Sequence, residues 1–341
     1  MDQKIKLAKA FHTCQTQATK KINTCFHPDC EEESINSHIL QKNGILSVIA
    51  EDQHVIEWRI NKYKDSEYFF KRIGINVAFS FKCFCAHHDF NLFEPIEQNE
   101  IDFSDYKTLL LFTLRTIYNE IYRKLINVNM LECLMENNSC ILSSSENLKE
   151  KILQEELAIN DLKKIETVIW NDLNSEVESF VFKIRQISQK DICLSSFYPY
   201  ETSKELNSYF IQHKKHKENI TELFVSLFPY QGKSIYIMAY RKENEILVKP
   251  YINDFFSCSE RKLEIKITNL MMFHCETWAI SNDFYTKRIK KHQEAFAFAT
   301  KFHRKNLNER KFYDLNIFSN TFENKFNIFK KNAPYYLALN S

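Results

Sequence analysis

Two short stretches, CFHPDC at residues 25–30 and FCAHHD at residues 84–89, decide how the N-terminal part of this chain is read. Cys25 and Cys30 are separated by four residues, with Pro28 helping the segment between them into a tight turn, so both thiolates can reach one tetrahedral ion. Cys85 and His88 are separated by two residues, the usual spacing for the second half of such a site. Together they predict a Cys3His set. Three soft thiolates and an imidazole suit zinc, and four protein ligands leave no open coordination position, which makes the ion structural. Asp89 is placed to accept the second ring N–H of a ligating His. His38, eight residues after Cys30, is an alternative fourth ligand, and His27 and His87 are also close in sequence. The plainer reading makes Cys83 and Cys85 buried strand thiols and the first pair incidental.

Outward from these stretches, Ile5, Leu7, Ala8 and Phe11 have the spacing of a short helix leading into the first Cys pair. Ile35, Ile39, Leu46 and Ile49 predict helical turns interrupted near Gly44, and HVIEWRI reads as a strand. Asn76 to Phe81 and Cys83 to Cys85 form an apolar run that delivers Cys85 to the site. From Tyr106 to Leu125, apolar residues recur at three- and four-residue intervals, the mark of a buried helix. The same gaps run from Glu146 to Ile187, which as one helix would extend about 60 Å at about 1.5 Å per residue. Asn138 to Ser145 is the turn that would make the two an antiparallel hairpin. After Asp191 the runs ICLSSFYPY, LFVSLFPYQGKSIYIMAY and EILVKPYI are β-prone and predict an antiparallel sheet, followed by a helical portion from Asp283 to Arg304. The expected fold is α+β in three consecutive parts: a zinc-stabilised module over 1–104, a helical hairpin over 105–190 and a sheet domain with terminal helices over 191–341.

Composition narrows the function. With 46 Lys and Arg against 44 Asp and Glu, the formal charge of +2 gives no general basic field for nucleic acid, so any such contact must be local. Only three glycines occur, at positions 44, 74 and 232, which excludes a glycine-rich phosphate loop and a dinucleotide fingerprint. The N-terminus has no unbroken apolar run of the kind a signal peptide needs, and no later stretch has membrane-spanning length, so a cytoplasmic location is expected. In that compartment the ten cysteines are expected to be buried thiols or metal ligands.

The pattern formed by Cys25, Cys30, Ser37, His38, Gln41, Phe84, Cys85, His88, Asp89, Phe93 and Glu97, continued by a helix with Arg115 and Glu120, resembles a poorly characterised family of bacterial zinc-binding proteins. The resemblance covers about the first 125 residues. It implies a bacterial zinc protein encoded among phage-defence genes, and it identifies no reaction.

Three functions follow as expectations. The first is recognition or defence, with zinc holding a module that engages a protein partner or nucleic acid. The second is an HNH-like nuclease in which His38 activates water beside Mg2+ or Mn2+, with Asp52, His54 and Asn61 as loose candidates for the remaining ion ligands. Against it stands a structural His38, with Ser37 capping a turn and Gln41 making another polar contact. The third is regulatory self-association through the long helix. Arg288, His292, His303 and Arg304 read as a solvated basic face, Cys275 between His274 and Glu276 as a buried thiol, and IYIMAY as sheet core.

Overall fold

The computed structural model describes residues 3–61, 67–137, 145–199, 221–294, 296–297, 300 and 315–319. In chain order its elements are α1 (Gln3–Lys21), β1 (Asn36–His38), α2 (Ser47–Ile49), β2 (His54–Asn61), β3 (Glu67–Gly74), β4 (Ser80–Lys82), α3 (Ala86–Glu97), α4 (Tyr106–Glu136) and α5 (Ser145–Leu173). They continue as β5 (Phe180–Ser188), β6 (Ile192–Pro199), β7 (Glu222–Tyr230), β8 (Lys233–Arg241), α6 (Glu245–Phe256), α7 (Glu260–Phe273), β9 (Trp278–Ile280) and α8 (Asn282–Phe284), with helical turns on to His292. The fold is α+β. No described helix is long and apolar enough to cross a membrane.

The chain forms two compact units, Met1–Gln41 with Ser80–Ser179, and Lys42–Phe79 with Phe180–Ser341. This differs from three consecutive parts. The reason lies in β1 and β4: they pair antiparallel, Ser37 opposite Phe81, although the segment between them belongs to the other unit. A break between domains that falls inside a strand pair leaves no compositional mark in the sequence.

In the first unit α4 is the central element. Asp105 caps it, its carboxylate accepting from the Thr108 amide at 2.7 Å. From Thr108 to Tyr122 only Glu120 escapes burial, as expected of a helix surrounded by its own unit. α5 runs antiparallel to it: Tyr106 reaches Asp172, Tyr118 reaches Glu166 and Lys124 reaches Glu155. The expected hairpin is therefore present between α4 and α5, while the predicted turn at Asn138–Ser145 falls, but for Ser145, outside the described residues. α1 lies along the C-terminal half of α4 and is joined to it by a disulfide between Cys14 and Cys133. This corrects the expectation that the cysteines are all thiols or metal ligands; Cys83, Cys193 and Cys275 are buried free thiols as expected.

The second unit is built on a seven-stranded sheet in the order β3-β2-β9-β6-β7-β8-β5, antiparallel at every described pairing. α6 and α7 supply Val248, Ile252, Phe255, Leu263, Ile267 and Met271 to the same apolar core as Leu194, Val225, Leu227, Tyr236 and Met238 of the strands. Two sequence expectations change here. The long helical spacing to Ile187 ends at Leu173, and Phe180 to Ser188 is instead β5, because nine residues pair in register with β8. EILVKPYI is not a strand but the start of α6, with Val248, Ile252 and Phe255 on its buried side. In both cases spacing alone admits helix or strand, and tertiary pairing decides.

Candidate metal centre

The site is a knuckle, a pair of strands and a helix start. The knuckle is fixed by backbone bonds, from the Cys25 amide to the Glu32 carbonyl at 2.9 Å and from the Phe26 amide to the Cys83 carbonyl at 2.8 Å. The Cys30 amide turns back onto the His27 carbonyl at 3.2 Å. Asp29 sits at φ 61°, a left-handed conformation that a short polar side chain tolerates better than most. On the far side, β4 leads through Cys83 and Phe84 to Cys85, which is extended and immediately precedes α3, so that Cys85 and His88 face the knuckle from the first turn of a helix.

The four predicted donors converge. One ligand atom each from Cys25, Cys30, Cys85 and His88 lies within 4.8 Å of all the others, and it is the only such cluster found among the described residues. The Cys30 and Cys85 sulfurs are 3.9 Å apart. His88 turns Nδ1 inward, 3.3 Å from the Cys85 sulfur and 3.6 Å from that of Cys25. The cluster could hold a metal ion.

Electrostatics separate the cysteines. The His88 amide at the open end of α3 lowers the Cys85 thiol, outweighing its desolvation. Burial pushes the Cys25 thiol up to about 11, so without a cation to neutralise it this sulfur keeps its proton. Burial, then repulsion from His27 and His87, lowers the His88 imidazole, which favours the neutral form a ligand requires. Cys83, two residues from Cys85, is raised well above the ordinary thiol range by burial and stands outside the cluster. The strand-thiol reading thus applies to Cys83 and not to Cys85.

Around the donors, His27 stacks flat on His88, with centroids 3.8 Å apart and planes 5° from parallel, and meets Trp170 edge-on at 5.0 Å. The Trp170 indole donates to the Tyr118 hydroxyl at 2.8 Å, which donates to Glu166 at 2.7 Å and approaches the Phe26 carbonyl at 3.3 Å. This support from α4 and α5 was not legible in the sequence, since pairs between helices have no spacing signature. Asp89 does not serve His88 as expected: its carboxylate lies 3.6 Å from the Arg115 guanidinium. Arg115 also pairs with Glu97 and stacks over Phe93 at 4.1 Å, so one buried arginine holds the length of α3. Gln41 donates to the Glu97 carbonyl at 2.6 Å.

The other candidates fall elsewhere. His38 lies on β1 opposite Ser80, half-buried, and is not a member of the cluster. Asp52 and His54 belong to the second unit, where a His54 ring nitrogen meets the Asp52 carbonyl at 2.6 Å; the Asn61 side chain, His303 and Arg304 lie outside the described residues. His292 is buried, which corrects its assignment to a solvated face. Cys275 is a buried thiol and IYIMAY is the buried length of β8. Comparison with family models, curated proteins and solved structures finds no match to this chain.

Proposed function

We propose that Cys25, Cys30, Cys85 and His88 hold a structural zinc ion, and that the finger so stabilised is a recognition element. It engages a protein partner or nucleic acid in the bacterial cytoplasm, in a defence role against phage. The observation that carries the zinc assignment is metric. A tetrahedral ion with bonds of about 2.3 Å to sulfur and about 2.05 Å to nitrogen sets its donors about 3.8 Å apart for two sulfurs and about 3.5 Å for sulfur and nitrogen. The separations of 3.9 Å, and of 3.3 and 3.6 Å, agree with both values. Four protein donors close the shell, so the ion stabilises and does not activate water. The finger leaves in solvent two apolar side chains that a partner would cover, Ile35 at 41% and Phe90 at 74% exposure, the latter two residues beyond His88. The defence role rests on the resemblance over about the first 125 residues alone.

A nuclease is the competing reading, favoured by the position of His38 on a strand of this same finger. Metal analysis of the purified chain, with cleavage assays on RNA and DNA in Mg2+ or Mn2+, separates the two. The expected result is zinc at about one ion per chain and no cutting. Absence of zinc would overturn the metal assignment; cutting that is lost in a folded His38→Ala variant would overturn recognition as the function.

A further inference from the structure

The Cys14–Cys133 bond lies in the first unit but outside the candidate metal cluster. It joins α1 to α4 across 119 residues, with the Cα atoms 5.5 Å apart. Both cysteines are buried, Cys14 at 1% and Cys133 at 5%. Among the described side chains, what else docks α1 in this region is Ala18, with Ala10 and Phe11 packed partly, against Met130, Leu134 and Ile126 of α4, and Gln17, whose side-chain oxygen lies 3.2 Å from the Cys133 sulfur. The remaining described side chains of α1 are mostly exposed. Among the described side chains of α1, the covalent bond is therefore a principal tie to α4.

The bond also carries a local provision for opening. Asn137, at the C-terminal cap of α4, directs its side-chain amide to the Cys133 sulfur at 3.3 Å and to the Cys14 sulfur at 3.7 Å, while the same nitrogen donates to the Cys133 carbonyl at 2.9 Å. A hydrogen-bond donor so placed stabilises the thiolate that departs from Cys133 when another thiolate attacks the Cys14 sulfur. Meanwhile Cys25, Cys30 and Cys85 must stay reduced to bind a cation. A disulfide in the same unit as a cluster of cysteines that must stay reduced fits a bond in exchange with a thiol pool better than one made permanently.

We propose that Cys14–Cys133 is a reversible redox latch that decides whether α1 stays docked on α4. Closing is thiol–disulfide exchange with a low-molecular-weight disulfide such as oxidised glutathione. One cysteine thiolate attacks it, forming a mixed disulfide and releasing one glutathione thiolate, and the second cysteine then displaces the other. Two protein thiols are oxidised, one glutathione disulfide is reduced to two thiols, and two protons leave the protein. Opening is the reverse. The latch is independent of the identity of the metal and of its role.

The test equilibrates the full chain in glutathione buffers from mainly oxidised to mainly reduced, blocks free thiols in denaturant, maps the linkages by mass spectrometry and follows amide hydrogen exchange. The expected result is a Cys14–Cys133 linked peptide that converts reversibly to two blocked cysteines, with α1 amides exchanging about tenfold faster or more in the reduced protein. Cys133→Ala should show the fast exchange under oxidising conditions too. Metal content, measured on the same samples, identifies any opening caused by loss of the ion. The proposal is overturned if the bond persists at millimolar reduced glutathione, if it forms with another partner such as Cys140, or if α1 exchanges equally in both states of the wild-type chain.

Discussion

Arg115 and Asp89 face each other at 3.6 Å, in the position next to His88 of the candidate metal cluster. The arginine is 2% exposed, and besides Asp89 it has Glu97 at the other end of α3 and the face of Phe93 between them. The helix that presents His88 is thus held from below by a single side chain, along two of its turns.

Replacing this arginine leaves Asp89 without its counter-charge beside the site. Arg115→Met should destabilise the protein by about 3 kcal/mol, toward the lower end for a broken buried pair because Glu97 and Asp89 retain some solvent. Arg115→Lys should recover only part of that, since a point charge cannot serve both carboxylates and stack on a ring at once. Urea unfolding measures both, and equal stability of Met and Lys variants would show that charge is not what the position requires.

The proposed zinc site makes the sharper demand on residue type. Cys85 is the donor nearest His88 and also contacts Cys30, so Cys85→Ser should abolish zinc retention, with content falling from about one ion per chain to none. His88→Ala should do the same, whereas His88→Cys should still bind, because a fourth thiolate is an equally suitable ligand. His27→Ala should keep the ion, as His27 contributes ring stacking and no donor to the cluster. Metal content by mass spectrometry after dialysis against a weak chelator distinguishes these outcomes.

What the sequence discloses depends on range. The four donors are legible because each pair is local, four residues apart in one case and two in the other, and coordination geometry limits which spacings work. The buried α4 is legible for the same reason, its apolar period being repeated over many turns. β5 has the spacing of a helix because Phe180, Ile184 and Ile187 satisfy a helical gap, while the sheet uses pairing with β8, a partner more than forty residues away. β9 is three residues long and its place between β2 and β6 is set wholly by those partners. The Cys14–Cys133 bond is not legible in the sequence because pairing across 119 residues leaves no local sign.

One turn in the sheet can be tested in isolation. Tyr230-Gln231-Gly232-Lys233 joins β7 to β8 with two central residues, at φ 46° for Gln231 and 74° for Gly232, as a hairpin of the favoured handed type requires. A Cβ on Gly232 would meet nothing within 4 Å, so only backbone strain opposes a side chain there. Gly232→Ala should therefore cost about 1 kcal/mol, and Gln231→Asn should be neutral or stabilising, since Asn enters this region more readily. Thermal unfolding of the two variants reads both effects, and an unchanged midpoint for Gly232→Ala would argue against the turn geometry.

Glu166 gives the protein a pH dependence of predictable sign. Desolvation raises its carboxyl above the ordinary 4.5, more than the Tyr118 hydroxyl and the charge of Lys163 lower it. The folded protein accordingly keeps this proton to a higher pH than the unfolded chain does. Its contribution to stability is then fully present below the unfolded value and is lost as pH rises from there through the raised folded value. Glu166→Gln removes the titration but keeps a carbonyl oxygen to accept from Tyr118, the hydroxyl of which also receives the Trp170 indole beside His27. The variant should be at least as stable as wild type at neutral pH and should lack the decline across that window. Unfolding free energies measured at intervals between pH 4 and 7 on both proteins check this, with metal content held constant; parallel curves would mean that Glu166 titrates alike in the folded and unfolded chain.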